Sequence, residues 1–302
     1  MLPAQPQAGL NPAEAPLRPS CVGEAFGIVA GGGVLPRLVA DAAAKAGWTP
    51  VVVAVGDGLS ADWSGYDATP LGWGRTGDIF PFLRRRGVAH MVFCGTISAR
   101  PDYRSLLPSL KTLALLPEIL RIVRGGDDSL LRAVSKAFER RGFALHGVHE
   151  LLPELLTPQG VLTTRAPGED DRAALARAME AATGLGSLDI GQAAVASADR
   201  VIALEGIEGT REMMARVADL RVRGRIGSRE RCVLFKSAKP QQDKRFDLPS
   251  IGVETVEQAH EAGLVGIGLT AGASLLLDAQ AIVARADASG LFVVGIAASE
   301  RP

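Results

Sequence analysis

The chain has 302 residues, of which 47% are hydrophobic and 22% charged, so it is long enough for two domains and typical of a soluble globular protein. Lys plus Arg equals Asp plus Glu at 33 each, which leaves no global basic field to attract nucleic acid or an anionic membrane. The three cysteines are far apart and form no C-x-x-C pair, which argues against a disulfide framework or a zinc ribbon. We therefore expect a cytoplasmic protein that binds no nucleic acid.

The first residues are rich in Pro and Ala and lack the apolar run of a secretory signal. We expect residues 1–24 to form a flexible tail. Regular structure is predicted from residue 26, where a short apolar strand (26–30) leads into three glycines. A helix (34–46) and a β-branched strand (49–55) follow. This βαβ unit predicts a parallel sheet, because strands buried on both faces are continuous apolar runs.

The pattern alternates in the same way along most of the chain and breaks near residues 152–171, where prolines and glycines accumulate. Further helices are expected at 78–86, 109–124, 127–140, 173–183 and 279–286, and strands at 90–94, 192–196, 200–204, 232–235, 264–269 and 291–296. We predict an α/β protein with a Rossmann-like domain (25–152), a linker (153–170) and a second α/β domain (171–302).

The glycine run Gly31, Gly32 and Gly33 stands between a strand and a helix, where backbone N–H groups are able to contact a phosphate. It lacks the G-x-G-x-x-G spacing, since Pro36 replaces the third glycine. Asp57 follows the next strand, as does the acidic residue that binds ribose in dinucleotide folds. A nucleotide site, including that of an NAD(P)-dependent oxidoreductase, and a plain tight turn are both open.

A second candidate cluster follows the predicted strand at 90–94, at the carboxyl edge of the sheet where such folds bind ligands. Thr96 and Ser98 offer hydroxyls, Arg100 suits a phosphate and Asp102 suits a metal ion. A polar connection with a helix cap is the alternative interpretation.

A third cluster combines Asp189 and Gln192 at a strand entry with Glu205, Glu208 and Thr210 in a glycine-bearing turn. These side chains suit magnesium or ribose hydroxyls. They suit turn and capping roles equally well, with Thr210 as the helix cap.

The fourth cluster concentrates positive charge in a neutral protein. The basic residues are Lys236, Lys239, Lys244 and Arg245, and Asp247 follows them directly before Leu-Pro. Hydrolysis of a phosphoanhydride needs cations to offset phosphate charge and a carboxylate to hold magnesium or orient water. A solvated charged loop is the alternative. The four histidines form no metal-binding motif and no G-x-S-x-G occurs, so we expect the histidines to be structural or exposed.

Six motifs in the same order make the chain resemble the LpxI family, with similarity from residue 26 to the C-terminus. They are AGGGVLP (30–36), ISARPD (97–102), GDDSLLR (126–132), LDIGQ (188–192), EGT (208–210) and KSAKPQQDKRFDLPSIG (236–252). The resemblance implies a Rossmann-like N-terminal domain, a distinct C-terminal domain and a lipid substrate in the cleft between them. It also implies a magnesium-dependent pyrophosphatase that cleaves UDP-2,3-diacylglucosamine to UMP and 2,3-diacylglucosamine 1-phosphate in lipid A synthesis.

In that family the aspartate of the R-x-D-L-P segment is needed for catalysis, which implies a catalytic and metal-binding role for Asp247. By position, Lys236 and Lys239 are expected to assist. The expected substrate-binding residues are Gly31, Gly32, Gly33, Thr96, Ser98, Arg100, Asp102, Gln192, Thr210 and Arg245. One departure is Asp78, where a lysine is expected.

Besides the nucleotide-sugar lipid, the resemblance is compatible with a homodimer and with peripheral contact at the cytoplasmic face of the inner membrane. Two rival hypotheses stay open. One is the oxidoreductase. The other is a nucleotide-sugar or lipid-carrier protein that binds without turnover.

Overall fold

A computed structural model of the protein describes residues 16–98, 109–114, 127–239, 243–246 and 248–300. By internal contacts the chain divides into two compact units. Within the described ranges, the first comprises residues 16–98, 109–114, 127–153 and 243–246. The second comprises residues 154–239 and 248–300.

The described part of the first unit alternates strands with helices, as the sequence predicts. In chain order its elements are β1 (Ala25–Ala30), α1 (Leu35–Ala46), β2 (Thr49–Ala54), β3 (Asp67–Pro70), α2 (Ile79–Arg85), β4 (His90–Cys94), α3 (Leu110–Ala114), α4 (Asp127–Glu139), β5 (Ala144–His146) and α5 (Val148–Leu151). These five strands pair in parallel, in the order β3-β2-β1-β4-β5. This is a Rossmann-like order, and it reverses between β1 and β4.

The helix α1 packs on this sheet through one apolar face, because Val39, Ala40 and Ala43 are buried. It ends at Gly47, whose φ of 98° is left-handed and lets its N–H bond the last carbonyls of the helix. A buried aromatic group including Phe138 and Phe143 forms the core with Met91.

Residues 243–246 return to the first unit although their neighbours in sequence belong to the second. Phe246 is 4% exposed and joins the aromatic core, with its ring centroid 5.7 Å from that of Phe93. Arg245 donates to Glu139 of α4 at 2.7 Å. The basic segment of the sequence is therefore split between the two units.

The second unit is also α/β in its described part. In chain order it has β6 (Gly160–Val161), α6 (Glu169–Ser187), β7 (Ala193–Ala196), β8 (Val201–Leu204), α7 (Gly209–Val222), β9 (Val233–Lys236), β10 (Ser250–Ile251), α8 (Val253–Glu261), β11 (Gly266–Thr270), β12 (Leu275–Leu276), α9 (Ala279–Ala288) and β13 (Phe292–Ile296). Its larger sheet has the order β6-β13-β11-β9-β7-β8, and β10 pairs with β12. The strands β9, β11 and β13 are parallel, whereas β7 runs antiparallel to β9.

This sheet is covered on both faces along β7, β9 and β13, because alternate residues of these strands enter different apolar clusters. Ala194 and Phe235 pack with Leu175 and with the alanines of α6. Val195 and Leu234 pack on the other side with residues of α7, α8 and α9. Burial on both faces explains why these strands are continuous apolar runs in the sequence.

The predicted fold class, a Rossmann-like parallel sheet with a second α/β domain, is confirmed. Two segments are placed as follows. In the predicted tail, Leu17 N–H donates to Glu150 O at 2.7 Å. In the predicted linker, Gly160 and Val161 form the edge strand β6, paired with β13.

Candidate functional site

The glycine run lies at the carboxyl edge of the first sheet, directly after β1. Gly32 and Thr96 exchange backbone hydrogen bonds of 2.8 and 3.0 Å, and Gly31 N–H donates to Cys94 O at 2.8 Å. The loops that follow β1 and β4 are therefore joined where the strand order reverses, the place at which open α/β sheets bind ligands.

Close backbone approach explains two of these glycines. A Cβ on Gly31 would lie 2.5 Å from Thr96 O, and one on Gly32 would lie 2.6 Å from Asp57 Cβ. Gly33 instead has a φ of 87°, which favours glycine. The N–H groups of Gly31 and Gly32 are engaged by protein carbonyls. Contact of this loop with a phosphate stays a prediction.

Asp57 binds Ser98 at the same edge. Ser98 donates to Asp57 Oδ2 from its backbone N–H at 2.8 Å and from its hydroxyl at 2.6 Å. These two bonds lower the pKa of the Asp57 carboxyl. Both predicted binders of this loop, Thr96 and Ser98, thus make contacts that fix the loop itself.

A second polar edge lies where β9 and β11 end and the antiparallel β7 begins. We call Asp189, Gln192, Glu205, Thr210, Ser237 and Lys239 the edge cluster. Ser237 N–H donates to Gln192 O at 2.8 Å, and the Ser237 hydroxyl lies 3.2 Å from that of Thr183. Ala238 N–H donates to Thr270 Oγ1 at 3.2 Å. The predicted third cluster and part of the fourth are therefore brought together by the sheet.

The two predicted catalytic lysines belong to this second unit. Lys236, the last residue of β9, is 7% exposed, and its Nζ donates to Ser250 O at 3.0 Å. Lys239 has a side chain 9% exposed and donates to Asp189 Oδ1 at 2.5 Å. Two ammonium groups, each bound to a protein oxygen, thus lie at or just after the end of β9. That they stabilise phosphate charge stays a prediction.

Glu205 organises the loop that carries Gln192. Its Oε2 accepts from Gln192 N–H at 2.9 Å and its Oε1 accepts from the Thr210 hydroxyl at 2.6 Å. Thr210 lies within α7, so its hydroxyl binds Glu205 instead of acting as the cap. The sequence places Glu205 in the third cluster, as a residue for magnesium, ribose hydroxyls or a turn. It does not predict that Glu205 holds the loop of Gln192, because that contact joins residues 13 positions apart.

The predicted binder Arg245 is held by two carboxylates. It donates to Asp243 from Nε at 3.0 Å and from Nη2 at 2.7 Å, and to Glu139 from Nη1 at 2.7 Å. These hydrogen bonds, above all those that Arg245 donates to Asp243, raise the pKa of the Arg245 guanidinium. Three other predicted site residues lie outside the described residues, namely Arg100, Asp102 and Asp247.

A concavity of about 190 Å³ lies in the first unit, lined by apolar residues including Leu71 and by several charged ones. Asp78, the departure from the family pattern, lines it and pairs with Arg75 at 3.0 Å and Lys111 at 3.3 Å. The Asp78 carboxylate therefore neutralises part of the positive charge of Arg75 and Lys111, which line the same concavity.

Cys94, His90 and His146 give no support to nucleophilic catalysis. Burial raises the pKa of the Cys94 thiol to about 12. Because the nucleophilic form of cysteine is the thiolate, this thiol is poorly suited to catalysis at neutral pH. His90 and His146 bond each other at 2.9 Å, and His146 bonds Glu150 at 2.8 Å. This chain of contacts gives both histidines a structural role.

Two features are absent from the described ranges. No group of three or more His, Cys, Asp and Glu side chains there is placed to hold a metal ion. No helix in the same ranges combines the length and apolar character needed to cross a membrane.

Comparison with known proteins covers nearly all of this structure. The LpxI N-terminal domain model matches residues 25–155 and the LpxI C-terminal domain model matches residues 158–294. The chain is also 41% identical over 279 residues to UDP-2,3-diacylglucosamine pyrophosphatase LpxI of Caulobacter vibrioides, covering 92% of this chain and 99% of that protein. The chain belongs to the LpxI family.

Proposed function

We propose that this protein hydrolyses UDP-2,3-diacylglucosamine to UMP and 2,3-diacylglucosamine 1-phosphate, a step of lipid A biosynthesis. The observation that carries the proposal is the 41% identity, along 92% of the chain, to a relative named for that pyrophosphatase activity. The edge cluster agrees with it, because Lys239 and several hydrogen-bonding groups lie at one end of a sheet, close in sequence to Lys236 at the end of β9.

In the proposed reaction, a water oxygen bonds to one phosphorus of the pyrophosphate and the bridging P–O bond breaks. The departing phosphate takes up the negative charge, and the proton of the water leaves to solvent or a base. Lys236 and Lys239 stabilise charge that grows on the phosphate oxygens. Both ammonium groups are already held by protein oxygens, Ser250 O and Asp189 Oδ1, so little reorganisation is needed.

Magnesium is the proposed cofactor. Mg²⁺ prefers oxygen ligands, and the described donors fit in kind, since Asp189 brings a carboxylate to the edge cluster. Asp247 is proposed as a ligand from the family resemblance. When bound, the ion would neutralise charge on the pyrophosphate oxygens. Lys239 would hold the Asp189 carboxylate in place for this.

Two further proposals concern location and assembly. We propose that the protein acts in the cytoplasm, in peripheral contact with the inner membrane where a diacyl substrate resides, and that it forms a homodimer. Fractionation of cells tests the first, and light scattering of the purified chain tests the second.

The experiment is release of UMP from UDP-2,3-diacylglucosamine, with magnesium and with EDTA, for the wild type, Asp247→Ala and Asp199→Ala. Asp199 is the matched control, because it is exposed at the turn between β7 and β8, away from the strand ends that carry the edge cluster.

We expect turnover by the wild type and Asp199→Ala, and loss of turnover in Asp247→Ala and in EDTA. Substrate binding without turnover by any of the three would refute the hydrolase and favour a carrier. Full turnover in EDTA would remove magnesium from the proposal.

A further inference from the structure

Glu205 is a buried carboxylate with an unusual set of partners. It is 7% exposed, and no cation within the described ranges lies within ion-pair distance of it. Burying a carboxylate without a counter-charge is costly, so its place calls for an explanation beyond closing a turn.

The explanation lies in what Glu205 holds. Both of its side-chain partners, Gln192 N–H and the Thr210 hydroxyl, are donors, and a carboxylate is acceptor-only. The backbone N–H of Glu205 donates to Ala193 O at 3.0 Å. The backbone and the side chain of Glu205 therefore both bind the residues at the entry to β7. A Cβ on Gly191 would lie 2.4 Å from Glu205 O, which shows how closely the two loops approach.

The backbone of Gln192 is held at both its N–H and its carbonyl group. Its N–H is bound by Glu205, and its carbonyl accepts from Ser237 N–H at 2.8 Å. Its side-chain Oε1 is buried and has no hydrogen-bond partner among the described residues. Buried acceptors are nearly always satisfied, so a partner from outside the described chain is expected for this oxygen.

We propose that Glu205 is a positioning residue that holds Gln192 so that its Oε1 accepts a hydrogen bond from a hydroxyl or N–H group of the substrate. The inference rests on the proposed function, and a nucleotide sugar carries several such donors. Glu205 acts only through Gln192 and does not touch substrate.

The test is a double-mutant cycle on KM and kcat for UMP release, using Gln192→Ala, Glu205→Ala and the double variant. We expect each single variant to raise KM about tenfold with kcat nearly unchanged, as for one lost hydrogen bond. In the Gln192→Ala background, Glu205→Ala adds no further effect. Multiplying effects would overturn the inference, because Glu205 would then act independently of Gln192.

A conservative variant separates geometry from charge. Glu205→Gln keeps one acceptor for Gln192 N–H and bonds a reoriented Thr210 hydroxyl, so we expect KM close to that of the wild type. If it is as impaired as Glu205→Ala, the charge itself is needed and positioning is the wrong role. An altered magnesium requirement in Gln192→Ala, with KM unchanged, would instead place Oε1 on the metal ion.

The control variant is Asp171→Asn. It removes another buried carboxylate of the same unit, one bound to Arg231, and is expected to lower stability without changing KM.

A replacement variant is available if Glu205→Ala does not fold. Thr210→Val removes one of the two donors to Glu205 and takes the place of Glu205→Ala in the cycle, with the same expected lack of effect in the Gln192→Ala background. Absence of wild-type turnover would refute the proposed function alone, and the cycle would then be measured by calorimetric binding of UDP-2,3-diacylglucosamine.

Discussion

Lys239 donates a hydrogen bond of 2.5 Å to Asp189, fifty residues earlier in the chain, and both groups lie at the end of the second sheet. Asp189 has a φ of 55°, which is uncommon for a residue other than glycine. The ion pair stabilises this conformation at the entry to β7. The position of the Lys239 ammonium and the backbone conformation before β7 therefore depend on each other.

Replacing Lys239 with alanine is expected to lower kcat for UMP release about a hundredfold, as loss of one preorganised electrostatic group does elsewhere. The change removes an ammonium from the proposed phosphate site and frees Asp189. Steady-state kinetics of UMP release measure the effect. Lys45→Ala, an exposed lysine in the last turn of α1, serves as the control and should keep wild-type kcat. Equal kcat in the two variants would remove Lys239 from the mechanism.

Gly31→Ala is expected to destabilise the first unit by about 1–3 kcal/mol, because the new methyl group would collide with the backbone at Thr96. Urea unfolding followed by tryptophan fluorescence is suited to this, since Trp48, Trp63 and Trp73 all belong to that unit. Gly72→Ala is the control, because no atom lies within 4 Å of the added carbon. The same unfolding midpoint for both variants would contradict the close approach.

Phe246→Ala is expected to cost the first unit about 3–5 kcal/mol, because it empties a site in the aromatic core beside Phe93. Tryptophan fluorescence should show the early loss of the first unit. The exposed Val222→Ala, in the second unit, should leave that transition unchanged. A transition unaffected by Phe246→Ala would contradict the placement of residues 243–246.

Glu230→Gln is expected to reduce stability at neutral pH by about 1 kcal/mol, the scale of a partly exposed ion pair. Arg200, bonded to both oxygens, is the main cause that lowers the pKa of the Glu230 carboxyl from 4.5 to about 2. A lowered folded-state pKa contributes stability above the unfolded value, and this is lost as pH falls towards 2. Calorimetric melting across this range should show the wild type and variant converging in acid. A constant difference would disprove the linkage, and Glu212→Gln on the exposed side of α7 controls for general charge effects.

Local pattern was enough to predict most of the regular structure. The strand β2 and helix α1 were predicted within a residue or so of their observed ends. A strand buried on both faces is a continuous apolar run, whereas a helix buried on one face has apolar residues every three or four positions, so the two patterns differ in the sequence. The strands β3 and β5 were missed. They are short and lie at the edges of their sheet, where β3 is only partly buried.

The candidate site was harder to predict because its contacts join distant parts of the chain. Glu205 meets Gln192 only through the antiparallel pairing of β7 with β8. Arg245 was selected as a phosphate binder for its charge, whereas its carboxylate partners Asp243 and Glu139 became visible only in the fold.

The sequence by itself determined the α/β class, the likeness to the LpxI family and the residue types from which a phosphoanhydride site is built. Periodicity and motif order depend on residues that are near one another in the chain, so they are visible in the sequence without knowledge of the fold. The tertiary structure alone decided that Phe246 joins the core of the first unit while Lys236 and Lys239 stay in the second. It also decided that Glu205 holds Gln192, because sheet register and burial depend on contacts between residues that the sequence keeps apart.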